Sequence, residues 1–228
     1  MHTLDRTRAT KLVLATMAAV FAALVTLTMS SGHAHAADAD HGAKAATLSP
    51  KALAFHDTMR KLWEDHITWT RLAIIDLEAD APGTQETVTR LLHNQVDIGH
   101  AIAPFYGAAA GAKLTTLLKQ HITEAAGIVA DAKAGDQQKL TTDVTAWYAN
   151  ADAISHFLAG ANPRFWPFKG VDAMMHEHLK LTTAEAIDHL KGKYTADVRD
   201  YDAVHREILM MADSLSNGII GQFPARFQ

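Results

Sequence analysis

The sequence predicts an all-α protein, with six helices arranged as three repeated antiparallel helical hairpins forming a bundle. Two observations predict it. From Ser49 onward, runs of helical periodicity alternate with short breakers, and no convincing run shows the period-two alternation of a strand. A short apolar window with a histidine at one fixed place also recurs about every 56 residues, a spacing in the range of a helical-hairpin repeat.

The chain begins with an address. Arg6, Arg8 and Lys11 precede an uncharged run from Leu12 to Met29, Ser30-Ser31-Gly32 breaks that run, and Ala34-His35-Ala36 reads as a small-residue cleavage site. Residues 1–36 are therefore expected to be a signal peptide cut between Ala36 and Ala37. If uncut, the same run would serve as a membrane anchor. Either way the body is expected outside the cytoplasm, secreted or periplasmic. Residues 37–48, rich in Ala and Asp with His41, read as a disordered linker. Residues 49–228 are expected to form one helical-repeat domain, with hairpins at about 49–105, 106–163 and 170–224.

Each helix has its own start and stop. Ser49-Pro50 supplies an N-cap and a first-turn proline for a helix over about 49–80. Pro82-Gly83, Pro104 to Gly107, Gly135-Asp136, Asn162 to Gly170 and Gly192 to Thr195 then break the pattern. They leave further helices over about 84–103, 108–134, 137–160, 171–191 and 196–221.

The odd helices overlay as LWEDHITWT (62–70), LLKQHITEA (117–125) and MMHEHLKLT (174–182), which share His66, His121 and His178. The even helices overlay with Asn94 on Asn150, and the third copy puts Met211 at that place. Positions three and four apart share a helical face. His66 then falls in a stripe with Met59, Leu62, Trp69 and Ala73, and His121 and His178 fall in similar stripes. Asn94 and Asn150 are likewise expected to face inward. Buried polar groups need partners.

Two readings of these residues stay open. In one they are a satisfied polar core, each His bonded to an Asn, to Glu124 or to Glu185. In the other, His66, His121 and His178 hold a transition metal such as Zn or Cu, with Asn94 and Asn150 beside the bound group. A Cu(I) variant adds the thioethers of Met174 and Met211. The metal reading needs the hairpins to close around an axis. Packed helices lie about 8–10 Å apart, so in an open row the first and third His would be roughly 20 Å apart.

Composition excludes several classes. The 228 residues contain no Cys, so disulfides, thiolate metal sites and c-type haem attachment are ruled out. Removing residues 1–36 leaves 18 Lys+Arg against 24 Asp+Glu, a net charge of −6, and no basic stripe is visible, which argues against a nucleic-acid partner. The mature chain is not expected to span a membrane. No phosphate loop, nucleophile elbow or HExxH motif occurs, so the expectation leans away from an enzyme. In the linker Asn162 to Phe168, three aromatics make the best candidate for a protein-partner surface.

The segments LWEDHITWTRLAII, PFYGAAAG, WYANADAISHFL, EHLKLTTAEAI and ILMMADSLSNGIIGQFP resemble a family of uncharacterised small bacterial helical proteins. Its members often carry automatic labels such as acetylglutamate kinase or glycosyltransferase. The resemblance implies the helical fold. Nothing among these residues reads as a nucleotide or sugar-nucleotide site, and the resemblance brings no functional residue with it. The sequence thus leads to an exported helical-bundle binding protein, with a structural or interaction module as the alternative.

Overall fold

The computed structural model describes residues 48–228, so the expected signal peptide and most of the linker lie outside the described residues. The six helices are α1 (Pro50–Ala79), α2 (Thr84–Tyr106), α3 (Ala108–Ala134), α4 (Gln137–Ala161), α5 (Phe168–Leu190) and α6 (Tyr194–Gln222). A short 3-10 turn, Pro224–Phe227, follows. There is no strand among the described residues, and no helix there is long and apolar enough to cross a membrane.

The helix ends follow local chemistry. Ser49 accepts from the Ala52 amide at 3.1 Å, with Pro50 in the first turn. Asp136 caps α4 by accepting from the Lys139 amide at 3.0 Å. Gly135, at φ 78°, ends α3 in the left-handed region that a side chain disfavours. Two ends differ from the sequence reading. Pro104 does not stop α2: it gives up one amide-to-carbonyl bond, and the helix runs on to Tyr106. α5 starts three residues early, at Phe168, using Pro167 as its lead-in.

Each helix packs against its neighbours in the chain, and α6 returns to pack along α1, so the six close into a ring. Polar contacts seal that last seam. Arg60 binds Asp213 through Nε and Nη2 at 2.6 and 2.7 Å, and His205 meets Glu64 at 2.8 Å. The Ser49 hydroxyl donates to the Phe227 carbonyl, tying the start of α1 to the C-terminus. α1 also touches α3 and α5 across the middle, so these three helices line the axis.

The close approach of α2 and α3 needs two glycines. A Cβ at Gly99 would stand 2.6 Å from the Gly111 carbonyl oxygen, and one at Gly111 would stand 2.6 Å from the Gly99 oxygen. At one end of the ring the aromatics gather. Phe105 stacks on Phe227 at 5.4 Å, and Phe55 packs against both. Trp166 sits on Gly218, where any side chain would collide with the indole, and its N–H donates to the Ser214 carbonyl at 3.2 Å. Trp166 is only 2% exposed, so the linker's central aromatic is a core plug and not a partner surface. Phe165 and Phe168 remain more than a third exposed.

The opposite end carries a partly buried ionic cluster. Arg71 binds Glu185 at 2.7 Å and both oxygens of Asp197 at 2.7 and 3.0 Å, while lying over the Tyr201 ring. His189 meets Asp197 at 3.0 Å and comes within 3.7 Å of Glu78. Burial pushes the Glu185 carboxyl up to about 7, because Arg71, shared with Asp197, does not offset the lost water.

Candidate functional site

The axis helices build the interior in layers of corresponding residues. His66, His121 and His178 are all buried, at 3, 3 and 4% exposure. Three residues earlier come Trp63, Leu118 and Met175, and one residue later Ile67, Ile122 and Leu179, all buried too. The closed ring thus brings the three histidines to one level. The rings of His66 and His178 are 5.8 Å apart, and His121 is near enough to act electrostatically on both.

Each imidazole is held by its Nδ1, and each time by the residue 29 positions on. His66 Nδ1 meets Gln95 Nε2 at 3.2 Å, His121 Nδ1 meets Asn150 Oδ1 at 3.0 Å, and His178 Nδ1 meets Glu207 Oε2 at 2.9 Å. The partners are buried as well. An amide or carboxylate oxygen accepts, so His121 and His178 carry a hydrogen at Nδ1. No Nε2 of the three has a hydrogen-bond partner among the described residues.

His66 differs in detail. The Gln95 amide nitrogen also faces the Leu91 carbonyl at 2.9 Å and Asn94 Oδ1 at 3.1 Å, three acceptors for two hydrogens. Gln95 Oε1 is buried without a partner among the described residues. Turning the amide over would present that oxygen to an Nδ1–H, as in the other two pairs.

Burial, with the neighbouring imidazoles adding to it, holds His66 well below its ordinary value and His121 down at about 3. Both rings are therefore neutral at physiological pH. A neutral imidazole fixed through Nδ1, with Nε2 unengaged, is the form in which histidine binds a metal.

The sequence overlay identified the three histidines and Asn150 as parts of this constellation, and two partners need correction. Asn94 does not touch His66. Its amide donates to the Leu62 carbonyl at 3.0 Å, and the next residue, Gln95, takes the ring. Asn150 does both tasks alone, donating to the Leu117 carbonyl at 3.1 Å. For His178 the partner is Glu207, one helical turn before Met211. Met211 is buried among apolar residues with Met59 and Met175, and Met174 is half-buried against the same core. Of the carboxylates considered from sequence, Glu185 pairs with Arg71 and Glu124 accepts from Gln120. The constant 29-residue offset was readable from the sequence, where a polar residue follows each histidine at that interval.

The ligand atoms do not meet as they stand. Among the described residues only Asp152, Asp172 and His176 bring one ligand atom each within 4.8 Å of the others. That group is half-buried, with His176 Nε2 already 2.7 Å from Asp152 and 3.8 Å from Asp172. Of the remaining histidines, His56 and His189 are not free surface groups, because Asp213 and Asp197 engage them.

The histidine layer separates two apolar hollows. On the aromatic side, the smaller is lined by Met59, Trp63, Leu118, Met175 and Met211 among others. On the other side, the residues four after each histidine, Thr70, Ala125 and Thr182, line a cavity of about 60 Å³. No protein-family model matches the chain, and no curated protein and no solved structure is similar to it.

Proposed function

We propose that this chain is an exported binding protein built from three repeated helical hairpins, and that its interior holds one transition-metal ion through Nε2 of His66, His121 and His178. One observation carries the reading: each buried histidine is anchored at Nδ1 by the side chain 29 residues on, which leaves three Nε2 atoms in one layer without a partner among the described residues. Gln95, Asn150 and Glu207 are the outer partners that orient such ligands. A three-histidine set suits Zn, or Cu if the site gives other than tetrahedral geometry. Loading requires the rings to draw together, because nitrogens sharing one ion at about 2.0–2.1 Å are closer than the present arrangement allows. It also requires the Gln95 amide to present its oxygen to His66.

That separation favours a second reading, a polar layer that fixes helix register without a ligand. Isothermal titration of the folded, chelator-treated chain with Zn(II) and Cu(II) separates the two. The metal reading expects one ion per chain, a raised melting temperature, and loss of binding in His66→Ala/His121→Ala/His178→Ala. The milder His121→Gln and Glu207→Gln should weaken binding about 10–100-fold or more. His176→Ala, at the half-buried cluster, should leave it unchanged. No binding by the wild type, or equal binding by His121→Gln, would overturn the metal reading and leave the structural layer.

A further inference from the structure

The cavity beyond the histidine layer has walls of small and aliphatic residues. After Thr70, Ala125 and Thr182, the next turn contributes Ile74, Val129 and Ala186, and Trp147 closes one side from α4.

Two residues of its wall each carry a buried polar atom that is unsatisfied. Trp147 and Thr182 are 4 and 7% exposed, and Trp147 Nε1 and Thr182 Oγ1 have no hydrogen-bond partner among the described residues. The other threonines of the wall are engaged: Thr70 donates to the His66 carbonyl at 2.8 Å and Thr183 to the Leu179 carbonyl at 2.7 Å. Buried donors without partners are uncommon and costly.

We propose that this cavity is a binding site for a small, neutral, largely apolar molecule carrying one acceptor oxygen, of the size and class of a short ketone or alcohol. The indole N–H only donates, so it requires an acceptor, and the Thr182 hydroxyl can donate or accept. No charged side chain lines the wall, which rejects ions and zwitterions. The volume of about 60 Å³ is well below the roughly 150 Å³ of a cavity that takes benzene, so the occupant is smaller than benzene. A lone water would need about three hydrogen bonds from a wall whose polar side chains are one indole and three threonines, two of them already donating to backbone carbonyls. Leu77, Val88 and Leu190 in the lining are only half-buried, which places the entry on their side.

The test uses chelator-treated protein, so its outcome is independent of the metal reading. The indole ¹⁵N–¹H signal of Trp147 is followed during titration with acetone. A saturable shift with a millimolar dissociation constant is expected. Ala186→Leu and Ala125→Leu, filling the cavity from two different helices, should each abolish it. Thr182→Val should weaken acetone binding several-fold while leaving xenon uptake, read by ¹²⁹Xe NMR, unchanged. A shift that rises linearly without saturating, a resident water only, or unaltered acetone binding in a folded Ala186→Leu or Ala125→Leu protein would overturn the proposal.

Discussion

Asn150→Leu probes the histidine layer at its best-defined point. Leucine matches asparagine closely in size but neither donates nor accepts. Asn150 is 3% exposed, accepts from His121 at 3.0 Å and donates to the Leu117 carbonyl at 3.1 Å. The substitution leaves the His121 Nδ1–H buried and unpaired, a cost of about 1–3 kcal/mol. Losing the contact to Leu117, whose carbonyl lies within a helix, adds about 0.5–1.5 kcal/mol. The extra apolar surface returns about 1 kcal/mol. The net is a destabilisation of about 1–3 kcal/mol, or a melting-temperature drop of roughly 3–10 °C for a domain of this size. Thermal melting by circular dichroism at neutral pH reads it directly. Asn94→Leu is the internal comparison: it removes the contacts to the Leu62 carbonyl and to Gln95 Nε2 but leaves Gln95 on His66, so no ring donor is orphaned and its drop should be smaller. An Asn150→Leu protein that melts within about 1 °C of wild type would refute the account, because a drop that small is below what an orphaned buried donor costs.

Acid sensitivity should be masked by the ionic cluster. His121 titrates near 3 when folded against about 6.5 unfolded, so between those values the unfolded state binds more protons and stability falls as pH falls. Glu185, at about 7 folded against 4.5, acts oppositely, its contribution growing as pH falls from 7 to 4.5. Each slope approaches about 1.4 kcal/mol per pH unit, so Glu185→Gln should show a steeper acid loss than wild type between pH 6.5 and 4.5 in urea titrations. Parallel curves for the two proteins would contradict the opposed slopes. Glycine substitutions should split by sign. Gly99→Ala brings a Cβ 2.0 Å from Thr115 Oγ1 and 2.6 Å from the Gly111 backbone oxygen, and should cost about 1–3 kcal/mol. Gly160→Ala meets nothing within 4 Å inside α4 and should stabilise by about 0.5–1 kcal/mol, so urea midpoints that shift the same way in both would refute the close-approach argument.

The sequence by itself determined the six helices, because caps, breakers and period are local properties. The Ser49-Pro50 start and the Gly135-Asp136 break were legible within a few residues of chain. It also determined that His66, His121 and His178 face inward, since a helical face is fixed by spacing alone. Which partner meets each ring was not local. The rotation of α2, α4 and α6 about their own axes depends on how they pack against α1, α3 and α5, and that rotation selected Gln95 and Glu207 over Asn94 and Met211. Trp166 likewise reads as a loop aromatic until Gly218, far along the chain, opens the space it fills. Above all, only the tertiary structure decided that the ring closes. α6 returns to α1 through Arg60, His205 and the C-terminal turn, contacts between residues more than 100 positions apart, which no local pattern encodes. That closure brings the three histidines to one level and sets an apolar cavity beside them.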